Sequence, residues 1–195
     1  YKSLLEQQYA EVTYPRNERD DKWTCNNETG VEPEPNGGEA RGTSNCVLLG
    51  RYVETKNNGT EVEVGSVVGI QPPSATGLTG DIATFVAYSP RISPIDKQTH
   101  TVDWDSVLET TNHRPSAASF LILRSPLSGL IRTFGLAEPL PVNLSDALSE
   151  ATATAKIKNC VVANGKVGLP TQSVTINASI GSANGIVLQG SDEAC

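Results

Sequence analysis

The imidazoles, carboxylates and cysteines of this 195-residue sequence are the side chains with chemistry to offer, and their spacing limits that chemistry. Acyl transfer needs a base beside its nucleophile, and only His100 and His113 supply an imidazole. His100 lies near Asp103 and Asp105 and serines are plentiful, but no G-x-S-x-G elbow occurs and nothing fixes a triad across the chain. Asp103 and Asp105 are two residues apart. On a strand they share one face, flanking Trp104 without spanning a sugar from both sides as paired glycosidase carboxylates do, so a solvated strand face or a turn is the expectation for them. His100 therefore reads as a solvated strand-edge residue, His113 as a loop residue ahead of Arg114 and Pro115, and Trp104 as a core residue. No catalytic residue is expected.

Cysteines stand at 25, 46, 160 and 195, with no C-x-x-C spacing and only two histidines to join them, a poor set for zinc. Four cysteines allow three pairings, of which Cys25 with Cys46 and Cys160 with Cys195 is the least demanding topologically; four reduced, buried thiols are the alternative. Each of those bridges would close a loop of a few tens of residues and stabilise by on the order of 3 kcal/mol. Bridges at both ends imply an oxidising compartment, extracellular or periplasmic.

The acidic stretch begins like a calcium loop, with Glu32, Glu34, Asn36 and Gly37 at positions 1, 3, 5 and 6. Position 12 is Thr43, where a bidentate Glu is required, so a solvated acidic loop is the expectation, with no metal and no cofactor. Asn27, Asn58, Asn143 and Asn177 open glycosylation sequons, but 13 Asn and 35 Ser plus Thr produce about two such triplets by chance. Arg91, Arg114, Arg124 and Arg132, with Lys156, Lys158 and Lys166, form a basic-biased region. Scattered strand charges are the expectation; convergence on one face would make Arg124 and Arg132 part of a partner surface.

These groups must be positioned by a loop-rich, β-leaning chain: 17 Gly and 12 Pro punctuate it, and aromatics reach only 5%. The length fits a single domain over 1–195, and no run approaches the ~18 consecutive apolar residues of a membrane span. The net charge of −7 is concentrated in residues 1–64, which hold 7 basic and 12 acidic groups. Such a chain repels phosphate backbones, which argues against nucleic acid as a partner. Methionine is absent, so the original N-terminus is expected upstream of Tyr1.

Leu5, Tyr9 and Val12 at i, i+4 and i+7, with Tyr1 and Leu4 beside them, predict an amphipathic helix over 1–14 that Pro15 stops. Tyr1 is already in phase, so the helix is expected to begin upstream. Residues 15–45 read as a long polar loop pinned by the first disulfide, followed by a β-rich region over 46–195. There, Cys46 to Glu54, the turn Lys56-Asn57-Asn58-Gly59 and Thr60 to Val68 predict a hairpin. Further strands are expected at Asp81 to Tyr88, Thr99 to Trp104, Ser119 to Arg124, Leu130 to Phe134, Lys158 to Ala163, Ser173 to Ile180 and Ile186 to Gln189. Turns are expected at Asn164-Gly165 and Asn184-Gly185. A short helix over Ser145 to Thr152, capped by Ser145, places Leu144, Ala147, Leu148 and Ala151 on one side.

This order of elements resembles the soluble domain of a type IV pilin or type II secretion pseudopilin, most similar to the H-type (FimT-like) minor members. Phe120 to Phe134, with its Ser-Pro-Leu-Ser-Gly turn, looks like the two late strands of such proteins. Asn45-Cys46-Val47-Leu48-Leu49-Gly50-Arg51 resembles the strand that opens their sheet. The family's cleavage site and apolar helix are not in this sequence, and four cysteines exceed the usual single pair. The resemblance implies an α+β fold: a truncated N-terminal helix packed through Tyr1, Leu5, Tyr9 and Val12 on an antiparallel β-sheet meander, with disulfide-pinned loops. It also implies a non-enzymatic filament subunit made from a precursor with a processed, methylated N-terminus. Its partners would be other pilin subunits and a host-cell surface, and it would meet the membrane only through the missing apolar half of the helix. It would serve attachment, motility or secretion at the cell surface or in the periplasm. The rival expectation is a secreted β-rich module binding carbohydrate or protein, with Trp23 or Trp104 as a stacking platform.

Overall fold

A computed structural model describes residues 1–16, 23–26, 30–33, 38, 40, 43–73, 77–103, 105–109, 119–136, 139–150, 156–163, 171–177 and 181–190. The chain opens with α1 (Lys2–Thr13), then β1 (Trp23–Asn26), β2 (Gly30–Pro33), β3 (Cys46–Lys56) and β4 (Glu61–Ile70). There follow α2 (Asp81–Ala87), β5 (Arg91–Ile92), β6 (Gln98–Thr101), β7 (Ser106–Glu109), β8 (Ser119–Arg124) and β9 (Ile131–Leu136). The last elements are α3 (Ser145–Glu150), β10 (Lys156–Ala163), β11 (Gln172–Asn177) and β12 (Ile186–Gln189). The fold is mixed: helices with antiparallel sheets and a Cys25–Cys46 disulfide.

The hairpin β3–β4 is the framework of the molecule, and its turn explains its register. Asn57, Asn58 and Gly59 all have positive φ, which Asn and Gly adopt at least cost. Gly59 is also sterically obligatory, since a Cβ there would sit 2.2 Å from the Leu108 carbonyl oxygen. A bulge between Leu48 and Gly50 then shifts the alternation of β3, so that Leu49 joins the same core cluster as Tyr52.

Among the described residues the strands form three sheets, β1–β2, the order β12-β11-β10-β7, and a six-stranded sheet ordered β5-β4-β3-β8-β9 with β6 also on β4, so that the expected meander describes only β10, β11 and β12. Strand β3 pairs with β8, far along the chain, and β7 pairs with β10, pairings that local periodicity does not encode. Both faces of the large sheet are covered, which is why Phe120, Leu121, Ile122 and Leu123 of β8 form an unbroken apolar run. Val53, Val62, Val64, Phe120 and Ile122 meet α1 and apolar side chains of the second sheet on one face. Tyr52, Val67, Leu121, Leu123 and Phe134 meet Phe85 of α2 and Leu148 of α3 on the other, where Phe85 and Phe134 stack edge to face at 5.7 Å.

Several expectations need correction. Asp81 to Tyr88, expected as a strand, contains the helix α2. Short apolar runs do not distinguish the two periods, and Phe85 and Tyr88, three apart, dock together on the sheet only from a helix. The polar segment 15–45, expected as a loop throughout, contains the paired strands β1 and β2. Of the two readings for Asp103 and Asp105, a strand face or a turn, the second fits: they follow the end of β6 in the connection to β7, with Asp105 at positive φ. At the start of α3 the Asn143 carboxamide oxygen accepts from the Ser145 amide; Ser145 is already the first helical residue, one position too late to cap. Arg91–Ile92 and Ser106–Glu109 are strands that the pattern missed. Trp104, His113, Arg114, Lys166, Glu34, Asn36, Gly37, Asn27, Ala151, Thr152, the turn Asn164-Gly165, residues 178–180 and Cys195 lie outside the described residues.

Candidate functional site

Helix α1 lies against β3, β8 and β12 and brings together polar and apolar side chains drawn from distant parts of the sequence. Its stripe repeats with the helical period, so Leu5, Tyr9 and Val12 fall on one line and are buried, with Tyr1 and Leu4 half-buried beside them. Burying three such side chains stabilises by roughly 1.5–3 kcal/mol each, and this burial holds the helix more strongly than any one of its polar contacts.

Apolar contact is non-directional, so it alone does not set where along the sheet the helix stops. Polar attachments along its length do. The Tyr1 hydroxyl accepts from the Asn159 side-chain amide of β10, and the Tyr9 hydroxyl shares a 2.7 Å hydrogen bond with Thr133 of β9. Between helix and framework hairpin lies Arg51, 7% exposed, whose Nε donates to Gln8 Oε1 at 2.9 Å and lies 3.1 Å from Glu11 Oε2. Its Nη1 donates to Ser66 Oγ at 2.9 Å and to the Asp96 carboxylate, which also accepts from the Ser66 amide and hydroxyl. A buried cation is tolerable only when paired and hydrogen-bonded, and Arg51 has partners from α1, β4 and the segment after β5.

Burial raises the pKa of the Tyr1 phenol above its ordinary range, against an opposing pull from Asn159. It does the same to Tyr9 against the hydrogen bond with Thr133. Tyr52, on the far face of the sheet, is pushed up by burial first and then by Glu63, whose carboxylate accepts its hydroxyl at 2.8 Å. A cleft of about 20 Å³ sits beside Arg51, lined by Glu11, Val12, Pro15, Leu48, Gly50 and Arg124. That volume holds about one water molecule and falls far short of the ~300 Å³ of a small-molecule pocket.

Arg124 and Arg132, which only convergence on one face would have made a partner surface, do not share a face. Arg124 pairs with Ile131 and donates to the Thr13 carbonyl at the end of α1, whereas Arg132 pairs with Leu123 and binds Asp81 of α2 at 2.9 Å. Residues of opposite parity on adjacent strands point to opposite sides of the sheet. The Ser125-Pro126-Leu127-Ser128-Gly129 turn between them is organised by Ser125, whose hydroxyl oxygen accepts from the Leu127 and Ser128 amides. Hydrogen bonds from Ser125 first, then Ser128 and Arg132, hold the Asp81 carboxyl below the usual range.

On β6, His100 lies opposite Val62, with its Nε2 buried and unbonded among the described residues. Trp23 is half-buried in β1. Cys25 and Cys46 are bonded with Cα atoms 5.5 Å apart, and Cys160 is disulfide-bonded as well. Such bonds indicate an oxidising compartment, and no helix among the described residues is long and apolar enough to cross a membrane.

Sequence reasoning missed Gln8, Arg51, Ser66 and Asp96. A signal existed for one: Gln8 lies three residues after Leu5 and four before Val12, a polar residue inside the apolar stripe. No family model, curated protein or solved structure matches the chain.

Proposed function

We propose that this chain is a non-enzymatic structural subunit of a type IV pilus or pseudopilus-like surface filament, serving attachment, motility or secretion. The observation that carries the reading is the way α1 is held: an apolar stripe against the sheet, locked in register by Arg51, Tyr9 and Tyr1. A subunit that joins its neighbours through a helix must pass load from that helix into its own folded domain. Directional bonds at successive turns resist sliding in a way that apolar contact does not. The runs 45–51 and 120–134, which carry the resemblance, take in the start of β3 and most of β8 and β9, and β3 and β8 are among the strands on which α1 rests. The disulfide supports a place outside the reducing cytoplasm, at the cell surface or in the periplasm.

The coding sequence upstream of Tyr1 tests the reading. About 20 to 25 predominantly apolar residues with an early glutamate, after a short basic leader, are the expected result. A cleavable signal peptide ending at Tyr1 would overturn it and leave the secreted binding module.

A further inference from the structure

We infer that Asn58 carries an N-linked glycan. Sequence alone does not rank the four sequons, since about two arise by chance; the fold separates the three whose Asn it describes. Asn143 sits in ordered backbone, bridged to Arg91, with its side-chain oxygen accepting from the Ser145 amide and so holding the carboxamide against the start of α3. Asn177 is half-buried at the end of β11, opposite Lys156. Asn58 stands at the apex of the β3–β4 turn, exposed, with no hydrogen bond to its carboxamide among the described residues.

The neighbours of Asn58 are what turn it outward. Asn57 is held by its side-chain bond to Glu61 at 2.7 Å, and the Thr60 hydroxyl by its bond to the Asn57 carbonyl at 2.8 Å. Gly59 is pressed against the Leu108 backbone. The left-handed backbone of Asn58, with φ 55°, is one that asparagine adopts readily, so the apex places this side chain in solvent without added strain. A glycan there displaces no contact among the described residues, whereas at Asn143 the carboxamide is held against the backbone at the start of α3 and a glycan on Nδ2 would have to fit beside that bond.

The donor is an oligosaccharide activated as a glycosyl diphosphate. Asn58 Nδ2 forms a bond to the anomeric carbon, the bond from that carbon to the diphosphate oxygen breaks, and one amide proton is lost. The Thr60 hydroxyl supplies the third position of the sequon. The required setting, outside the reducing cytoplasm, is the one the disulfide indicates.

Peptide mass spectrometry on the protein from its native cells tests the inference. With peptide N-glycosidase in heavy-oxygen water, residue 58 is expected as labelled aspartate, with loss of the glycan mass from the intact chain. Thr60→Ala is expected to abolish the modification and Thr60→Ser to retain it, which separates loss of the sequon from loss of the fold. An unmodified Asn58 in the untreated protein overturns the inference, whether or not Asn143 or Asn177 is glycosylated.

Discussion

The hydroxyls of Tyr9 and Thr133 lie 2.7 Å apart across 124 residues of sequence, joining the middle of α1 to an edge strand of the large sheet. Both residues are buried, so each hydroxyl depends on the other. Tyr9→Phe strands the Thr133 hydroxyl and is expected to cost about 1–3 kcal/mol in urea unfolding. Tyr9→Phe with Thr133→Val, which removes both hydroxyls, is expected to recover much of that loss; equal costs for single and double variants would count against the pairing.

Arg51 gathers side chains from α1, β4 and the segment preceding β6. Arg51→Ala leaves Asp96 without its cation and is expected to cost near the lower end of ~3–5 kcal/mol, because Glu11 is part-exposed and retains water. The cost should persist at high salt, since a buried pair is weakly screened. A double-mutant cycle with Asp96→Ala should show coupling of about 0.5–3 kcal/mol. Strict additivity would mean that the two side chains stabilise independently.

Acid tests the bond between α2 and the β8–β9 turn. The Asp81 pKa is lowered in the fold, so its contribution is present above the unfolded value of ~3.9 and is lost as pH falls through the folded value. Asp81→Asn should therefore flatten the acid limb of the stability curve while changing the neutral-to-alkaline limb little. An unchanged acid limb in the variant would show that Asp81 is not linked to folding.

Alkali tests the buried phenols. Tyr1, Tyr9 and Tyr52 have raised pKa values in the fold, so their contribution is full below the unfolded value of ~10 and is lost as pH rises toward the folded values. Ultraviolet titration should show these three phenols ionising only together with unfolding, and Tyr9→Phe should remove one from that cooperative step. All five phenols of the chain ionising in one smooth transition near pH ~10 would contradict their burial.

The Cys25–Cys46 bridge spans 21 residues and ties β1 to the start of β3. Cys25→Ser with Cys46→Ser is expected to lower stability by about 2–4 kcal/mol. Hydrogen exchange should rise first in β1 and β2, which form a separate two-stranded sheet, and last in β8. Uniform loss of protection would assign the bridge a global role.

What the sequence determined by itself is local. The 3.6-residue stripe Leu5–Tyr9–Val12, the Asn-Asn-Gly turn, the alternation at Val62 and Val64, and the span Ser119–Arg124 each express an interaction between residues a few positions apart. Tertiary structure decided the rest. The run from Asp81 to Ala87 became a helix because Phe85 and Tyr88 find the sheet from a helical spacing, and β3 paired with β8 through contacts that no local period announces. Arg124 and Arg132 separated because adjacent strands project alternate residues to opposite faces. The Arg51 cluster was legible only as a polar residue within an apolar stripe, because its members meet only after α1, β3, β4 and the segment before β6 have been brought together. A buried cation acquires its partners from the fold, whereas a turn or a helix stripe carries its own in the sequence.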